Sequence, residues 1–258
     1  MSRAVSDDDV SSISAAAEAL LDLTDVGGDS AVVAGIACSR LPVEQPWAVR
    51  AAVMRPPTGA ALGAAIGWLA QRSASWTVIT RGVHADADVF VAAGLTAASV
   101  LQALEWQAEL PALPTVARLE VVRATSAEEV RSVYVPVFGA DLAPLVTDAH
   151  VRALSYRYLV ARLHGDPVGC AQVRWAAGTA YISGVGVLPG VRGSGIGTAV
   201  SAVATALARA RCSGPVWLLA EPDVMPIYSR LGYKVVDEHA HLRPAGTSAA
   251  PTHGLTPA

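Results

Sequence analysis

The most informative stretch of this chain is residues 192–198, which read Arg192-Gly193-Ser194-Gly195-Ile196-Gly197-Thr198. It follows a strand-like run, residues 180–187, that ends before Pro189. After it, apolar residues recur at the spacing of one helix face: Val200, Val203, Ala204, Leu207 and Ala208. A glycine-rich turn that leads into a helix presents unpaired backbone N–H groups at the positive end of the helix dipole. The stretch is therefore predicted to bind an anion, and a pyrophosphate would suit it.

Two common phosphate-binding loops do not fit this stretch. The chain contains no Gly-Lys-Ser/Thr, so the nucleoside-triphosphate P-loop is excluded. The glycines at 193, 195 and 197 run G-x-G-x-G rather than G-x-G-x-x-G, and an arginine and a proline stand where a strand should enter the turn directly. A dinucleotide-binding loop is therefore not predicted.

Two motifs resemble those of the GNAT N-acetyltransferase superfamily. Residues 187–197 resemble motif A, whose core is Arg/Gln-x-x-Gly-x-Gly/Ala. Residues 219–233 resemble motif B, a strand and a short helix that end in Tyr-x-x-Leu-Gly-Phe/Tyr, here Tyr228 to Tyr233. Gly232 would follow the helix end, where glycine accepts a left-handed backbone. The resemblance implies an α/β architecture with a mixed sheet, the GNAT acyl-CoA N-acyltransferase fold.

Composition narrows the class of protein. The net charge of −3 gives no electrostatic reason to expect nucleic acid as a partner. The cysteines Cys38, Cys170 and Cys212 form neither a metal signature nor a disulfide framework, which favours a reducing cytoplasm. The N-terminus lacks the pattern of a signal peptide, and the longest apolar run, residues 59–70, is too short to span a bilayer. We expect a cytoplasmic protein without a metal or a membrane partner.

Residues 113–242 are predicted to form the complete catalytic GNAT domain. A strand at 118–123 precedes a helix from Ser126 through Val137, with Glu129 as the capping-box partner. The remaining predicted elements are a helix at 142–154, a hairpin of 158–164 and 168–175 across Gly165-Asp166, strands at 181–187, 215–220 and 233–238, and the two helices of motifs A and B. This is the element order of the family.

Residues 1–112 are predicted to form a degenerate GNAT-like domain. Residues 75–80 resemble residues 215–220, and residues 90–95 match residues 228–233 in spacing, with Phe90 in place of the tyrosine. The alternative is two ordinary strand–helix–strand segments with a coincidental glycine. Helices are predicted at Asp9–Leu23 and Thr58–Gln71, a linker at Pro111–Pro114, and a disordered tail at 243–258. Tandem GNAT proteins combine such a half with an intact one.

The resemblance implies a role for each motif residue. Backbone N–H groups of the loop would hold the pyrophosphate, from Arg192, Gly193, Ser194, Gly195, Ile196, Gly197 and Thr198. Backbone groups of Val185, Gly186 and Val187 would align the pantetheine on a strand that splays from its neighbour, often at a bulge. A backbone N–H near Val187 would polarise the thioester carbonyl. Glu221 takes the position where the family often has an asparagine that contacts the pantetheine, so that contact is in doubt.

Tyr228 matches the position of the general acid that protonates the departing thiolate. It could instead only pack its helix on the sheet, and Arg192 could be only a solvated turn residue. The general base is not identifiable: Glu221, Asp223 and a water chain are all candidates. Tyr181 and Ser183 are candidates for the lining of the acceptor side.

These residues predict an acetyl-CoA-dependent N-acetyltransferase that acts on a primary amine of an unidentified acceptor by direct attack. The acceptor could be a small molecule or a protein amine, a preference for longer acyl groups stays open, and a homodimer is possible. The alternative function is a catalytically weak CoA-binding regulatory or scaffold protein.

Overall fold

The computed structural model describes residues 28–109 and 115–247. The predicted helix at Asp9–Leu23, the predicted linker at Pro111–Pro114 and residues 248–258 of the predicted tail lie outside the described residues. The described residues separate into two compact units. The first contains the residues up to Gln102 together with those from Val236 onward, and the second contains Ala103–Val235. The division into domains at residues 112 and 242 stays a prediction.

The first unit is a mixed sheet that carries helices on one face. Its elements are β1 (Asp29–Val33), β2 (Ile36–Arg40), β3 (Val49–Ala52), α1 (Gly59–Ala70), β4 (Thr77–Arg81), α2 (Asp88–Ala92), most of β5 (Leu95–Trp106) and the end of β11 (Tyr233–Pro244). Strands β1, β2 and β3 pair antiparallel, β3 and β4 pair parallel, and β11 pairs antiparallel with β4. Leu62 and Leu69 of α1 and Phe90 of α2 pack on Val78 and Leu242 of the sheet.

The second unit has helices on both faces of its sheet. Its elements are β6 (Leu119–Arg123), α3 (Ala127–Phe138), α4 (Asp148–Arg152), β7 (Tyr156–Leu163), β8 (Asp166–Ala176), β9 (Thr179–Val187), α5 (Ile196–Arg211), β10 (Val216–Ala220) and α6 (Met225–Arg230). The strands lie in the order β6-β7-β8-β9-β10-β5. Strands β6 to β9 form an antiparallel meander, whereas β9 and β10 are parallel. Helices α3 and α5 both pack on β8 and β9.

The predicted start of α3 is confirmed. The Ser126 hydroxyl accepts a hydrogen bond from the Glu129 N–H at 3.2 Å. The Glu129 carboxylate reaches one residue further back than a capping box requires, because it accepts from the Thr125 N–H at 3.1 Å. Arg162 of β7 also forms an ion pair with Glu129. This carboxylate thus connects the first turn of α3 to the sheet beneath it.

Three predicted boundaries were wrong. The predicted helix at 142–154 is a 3-10 turn, Ala140–Leu145, followed by α4, because Thr147 starts a new helix by capping the His150 N–H. The hairpin turns at His164-Gly165, both with positive φ, so that Leu163 pairs with Asp166. The last strand continues to Pro244, since it joins the sheet of the first unit beyond Val236.

The predicted internal similarity appears as the same element sequence in two places. Strand β4, helix α2 and strand β5 correspond to strand β10, helix α6 and strand β11. Each helix buries one aromatic ring, Phe90 or Tyr228, and each is followed by a glycine with positive φ, Gly94 or Gly232. The strand that follows has 12 residues in both cases. That the first copy descends from a second GNAT domain stays a prediction.

Candidate active site

The parallel strands β9 and β10 are paired over only part of their length. Their register runs from Ala180 opposite Val216 to Ile182 opposite Leu218 and then ends. Residues 183–187 of β9 continue beyond that point. The sheet therefore contains an opening between two neighbouring strands, as the sequence analysis predicted.

A bulge in β9 accompanies the opening. Ser183 lies opposite Gln172 of β8, whereas Gly186 lies opposite Cys170, so three steps on β9 match two on β8. Gly184 has φ +58°, which a residue with a side chain rarely adopts. The predicted bulge is thus present, and glycine is the residue that permits it.

Beyond the bulge, successive residues of β9 face opposite sides of the sheet. Val185 and Val187 belong to the core that includes residues of α5. A Cβ added at Gly186 would meet Val137 and Phe138 of α3, at 2.8 and 2.9 Å. The α3 side of the opening is therefore closely packed around the glycines of β9. No sequence pattern points to these two α3 residues, because their role depends on how a helix lies across the sheet.

The backbone of Val187 faces the opening. The Leu188 N–H donates to the Val168 carbonyl of β8 at 2.9 Å. Since successive N–H groups of an extended chain point to opposite sides, the Val187 N–H points away from β8. The Val187 carbonyl accepts a hydrogen bond from Arg192 Nε at 3.0 Å. Arg192 thus ties the glycine-rich loop to the end of β9, which is more than a solvated turn residue would do.

The glycine-rich loop leaves the start of α5 without a side-chain cap. Gly195 is the N-cap residue, with φ +85° and no capping hydrogen bond. The first hydrogen bond into the helix runs from the Ala199 N–H to the Gly195 carbonyl, so the N–H groups of residues 196–198 precede it. The first turn contains no acidic residue, and the Ser194 hydroxyl is engaged with the Val191 carbonyl at 2.6 Å. Uncapped N–H groups at the positive end of a 16-residue helix suit a phosphate group.

Tyr228 lies in the core on the α5 side of the sheet and is 1% exposed. Burial raises the pKa of its hydroxyl well above the usual range; the nearby Ser201 hydroxyl lowers it in part, and Tyr181 raises it. Ser201 Oγ nevertheless has no hydrogen-bond partner of good geometry among the described residues. Tyr228 therefore stays protonated at neutral pH, which is the form that a proton donor requires.

Glu221 follows the last residue of β10, at the end of the opening. Its Oε1 atom is buried and has no hydrogen-bond partner among the described residues. A buried carboxylate oxygen without a partner is costly, and such atoms are few in native proteins. The sequence motif predicted Glu221 as a site residue, but it could not predict that one of its carboxylate oxygens is buried without a hydrogen-bond partner.

A polar network lies beside the bulge, and only one of its side chains was predicted from the sequence. Ser183 Oγ donates to Gln172 Oε1 at 3.0 Å, and Gln172 Nε2 donates to the Tyr158 hydroxyl at 3.0 Å. Tyr158 then donates to the Leu145 carbonyl at 3.2 Å. Ser183 was a sequence candidate for the acceptor side. Gln172 and Tyr158 were not, because only the strand register brings them next to it.

Two further observations concern the described residues alone. They contain no group of three or more His, Cys, Asp or Glu side chains placed to hold a metal ion. They also contain no helix with the length and apolar character needed to cross a bilayer.

Comparisons with known proteins identify a family for part of the chain and a fold for most of it. Residues 126–233 match the model of the Acetyltransferase (GNAT) family. No curated protein matches the chain in sequence. The chain is similar in structure to a GCN5-related N-acetyltransferase from Kribbella flavida, with 23% identity, a TM-score of 0.69, and coverage of 90% of this chain and 96% of that one.

Two more distant structures share the fold. A GCN5-related N-acetyltransferase-like protein from Streptococcus suis has 14% identity and a TM-score of 0.56, with coverage of 91% of this chain and 98% of that one. A tandem GNAT protein from the clavulanic acid biosynthesis pathway has 16% identity and a TM-score of 0.54, with coverage of 83% and 79%. Family model, element order and fold agree, so residues 126–233 form a domain of the GNAT acetyltransferase family.

Proposed function

We propose that this protein transfers an acetyl group from acetyl-CoA to a primary amine. The GNAT family and fold imply acyl transfer from an acyl-CoA to an amine. The proposal adds the acetyl group, the primary amine and the residues that act. The observation that carries it is the combination of an uncapped helix N-terminus with an adjacent opening between β9 and β10.

The residues of the second unit fit the parts of acetyl-CoA in order. The N–H groups at the start of α5 would bind the pyrophosphate, and the side chain of Arg192 holds their loop against the end of β9. The edge of β9 from Val185 to Val187 would pair with the amide-bearing pantetheine, because β10 does not pair with it there. The Val187 N–H would then donate to the carbonyl oxygen of the thioester.

Side chains of α3 beside the opening would limit the size of the acyl group. Val137 and Phe138 come within 3 Å of where a Cβ of Gly186 would stand. A long acyl chain would have to displace these two side chains from a packed site. This favours acetyl over longer acyl groups.

The proposed reaction has two parts, attack by the amine and protonation of the leaving sulfur. The amine nitrogen attacks the thioester carbonyl carbon, so that a C–N bond forms and the C–S bond breaks. Tyr228, protonated and on the α5 side, would give its proton to the departing thiolate sulfur. The new amide nitrogen loses its extra proton to solvent, and the tyrosine regains a proton from solvent.

The test is release of CoA thiol from acetyl-CoA in the presence of a panel of primary amines. The products are identified by mass spectrometry. Acetylated amine, formed in step with thiol release, is the expected result. Tight binding of acetyl-CoA with no turnover on any amine would favour the alternative, a CoA-binding regulatory or scaffold protein.

A further inference from the structure

The turn before β6 and the hairpin between β7 and β8 lie beside the glycine-rich loop. A Cβ added at Gly195, the N-cap residue of α5, would meet Val116 Cγ2 at 3.6 Å. The Val116 carbonyl accepts a hydrogen bond from the Leu119 N–H at 3.1 Å, so residues 116–119 form a turn against the loop. Leu119 pairs with the last residue of β7, next to the hairpin. The start of α5, this turn and the hairpin therefore meet at one edge of the sheet.

Two side chains with nitrogen donors come together at this edge. Arg118 belongs to the turn and His164 to the hairpin, and both are exposed. The His164 N–H donates to the Arg118 carbonyl at 3.2 Å, and Arg118 Nη1 lies 3.3 Å from His164 Nδ1. Because a guanidinium can only donate, Nδ1 accepts, and the proton of the neutral imidazole is on Nε2. The remaining guanidinium N–H groups and Nε2–H are then donors without an acceptor between them.

The backbone at both positions is unusual for residues that carry a side chain. Arg118 has φ +59° and His164 has φ +56°. The two-residue hairpin requires a positive φ at position 164, which asparagine or glycine adopts more readily than histidine. Strained backbone of this kind is found preferentially at functional sites. Two basic side chains thus occupy positions where glycine or asparagine would fold with less strain.

Neither basic side chain has an anionic partner among the described residues. The ion pairs there involve other arginines, namely Arg40, Arg72, Arg81 and Arg162. Within the loop, Arg192 Nε and Ser194 Oγ donate to backbone carbonyls. A guanidinium beside a second N–H donor matches the oxygens of a phosphate. The edge therefore offers a phosphate site next to the N–H groups of α5.

We propose that Arg118 and His164 bind the 3′-phosphate of the acetyl-CoA whose pyrophosphate lies at the start of α5. This inference rests on the proposed function and adds two residues that select CoA over its 3′-dephospho form. The 3′-phosphate and the pyrophosphate are attached to the same ribose, so their sites have to be neighbours. The guanidinium and the Nε2–H of His164 donate to the phosphate oxygens.

The competing role for the pair is structural, namely to join the turn to the hairpin. The two roles differ in what loss of the side chain would affect. A structural role would change the affinity for every CoA derivative equally, through the position of the loop. A 3′-phosphate site would change affinity only for a ligand that carries this phosphate.

The test compares acetyl-CoA with acetyl-3′-dephospho-CoA, which lacks only the 3′-phosphate. Their dissociation constants are measured by calorimetry, at low ionic strength, with the full chain, Arg118→Gln and His164→Asn. Glutamine retains a long polar side chain without the charge, and asparagine tolerates the positive φ of the hairpin. Arg123→Gln is the matched control, because Arg123 is an exposed arginine at the other end of β6.

The measured quantity is the ratio of the two dissociation constants. The wild type is expected to prefer acetyl-CoA by about fivefold or more, the upper end for one exposed ion pair. Arg118→Gln should reduce this preference to about twofold or less, His164→Asn should also reduce it, and Arg123→Gln should retain it. A wild-type ratio in Arg118→Gln or His164→Asn, no preference in the wild type, or an equal loss of affinity for both ligands would overturn the inference. If neither ligand binds the wild-type chain, the proposed function itself fails.

Discussion

The proposed role of Tyr228 affects the chemical step and not the binding of acetyl-CoA. In the proposed reaction it gives its proton to the departing sulfur, so it would contribute in the transition state and not in the complex with acetyl-CoA. Tyr228→Phe should therefore lower kcat with little change in the dissociation constant of acetyl-CoA. A thiol with a reference pKa of about 8.5 is already a fair leaving group, so we expect the low end of the range for acid catalysis, about 10²-fold.

The matched control is Tyr233→Phe. Tyr233 is also buried, and its hydroxyl bonds to Thr205 Oγ1 at 2.8 Å rather than facing Ser201. Loss of the Tyr233 hydroxyl should lower the free energy of unfolding without lowering kcat per folded molecule. Steady-state turnover on an accepted amine distinguishes the two variants. Full activity of Tyr228→Phe would mean that the tyrosine only packs α6 on the sheet.

Gly195 is the second residue for which a substitution tests the proposed site, because it lies at the start of α5. Its φ of +85° at the N-cap of α5 is a conformation that valine disfavours strongly, and a side chain there would occupy the approach to the N–H groups. Gly195→Val should abolish acetyl-CoA binding while the far-UV circular dichroism stays near that of the wild type. Gly246→Val is the control, because Gly246 has a similar φ of +83° in the first unit. Binding retained by Gly195→Val would locate the anion elsewhere.

At the scale of the element, β11 is expected to make the fold sensitive to acid. His239 and His241 are buried on this strand. Burial lowers the pKa of His239 to about 4, an effect that Asp237 opposes and Arg81 reinforces. Burial lowers the pKa of His241 to about 3, with further lowering by His239, Arg50 and Arg243.

The direction of the pH effect follows from these lowered values. Between pH 6.5 and about 4 the unfolded chain binds protons at both histidines and the folded chain does not, so stability falls as the pH falls. Urea midpoints should drop across this range by an amount equivalent to a few kcal/mol. His241→Gln, which cannot be protonated, should flatten the profile. The same slope in both proteins would show that other groups control the acid response.

The elements also show what the sequence could and could not predict. Periodicity and capping residues located α3 and α5, because Ser126 and the glycines of residues 193–197 act within a few positions of themselves. Strand register is set by partners far along the chain. For this reason the extension of β11 to Pro244 and the placement of Gln172 beside Ser183 could not be derived from local patterns. Motif resemblance supplied the site positions, whereas the unpartnered oxygen of Glu221 required coordinates.

At the scale of the whole molecule, binding and folding are linked. A ligand that binds only the folded chain raises the free energy of unfolding, by about 2.7 kcal/mol at 100 times its dissociation constant. Acetyl-CoA should therefore raise the urea midpoint of the wild type, and it should not raise that of Gly195→Val. A wild-type midpoint unaffected by millimolar acetyl-CoA would argue against an intact cofactor site.

We expect one acetyl-CoA site, in the second unit, built from the start of α5 and the opening between β9 and β10. Calorimetric titration of the full chain with acetyl-CoA tests it most directly, because it measures both affinity and stoichiometry. We expect one acetyl-CoA to bind per chain, with binding lost in Gly195→Val. Two equivalents per chain would contradict a degenerate first copy, and no binding at all would contradict the proposed enzyme.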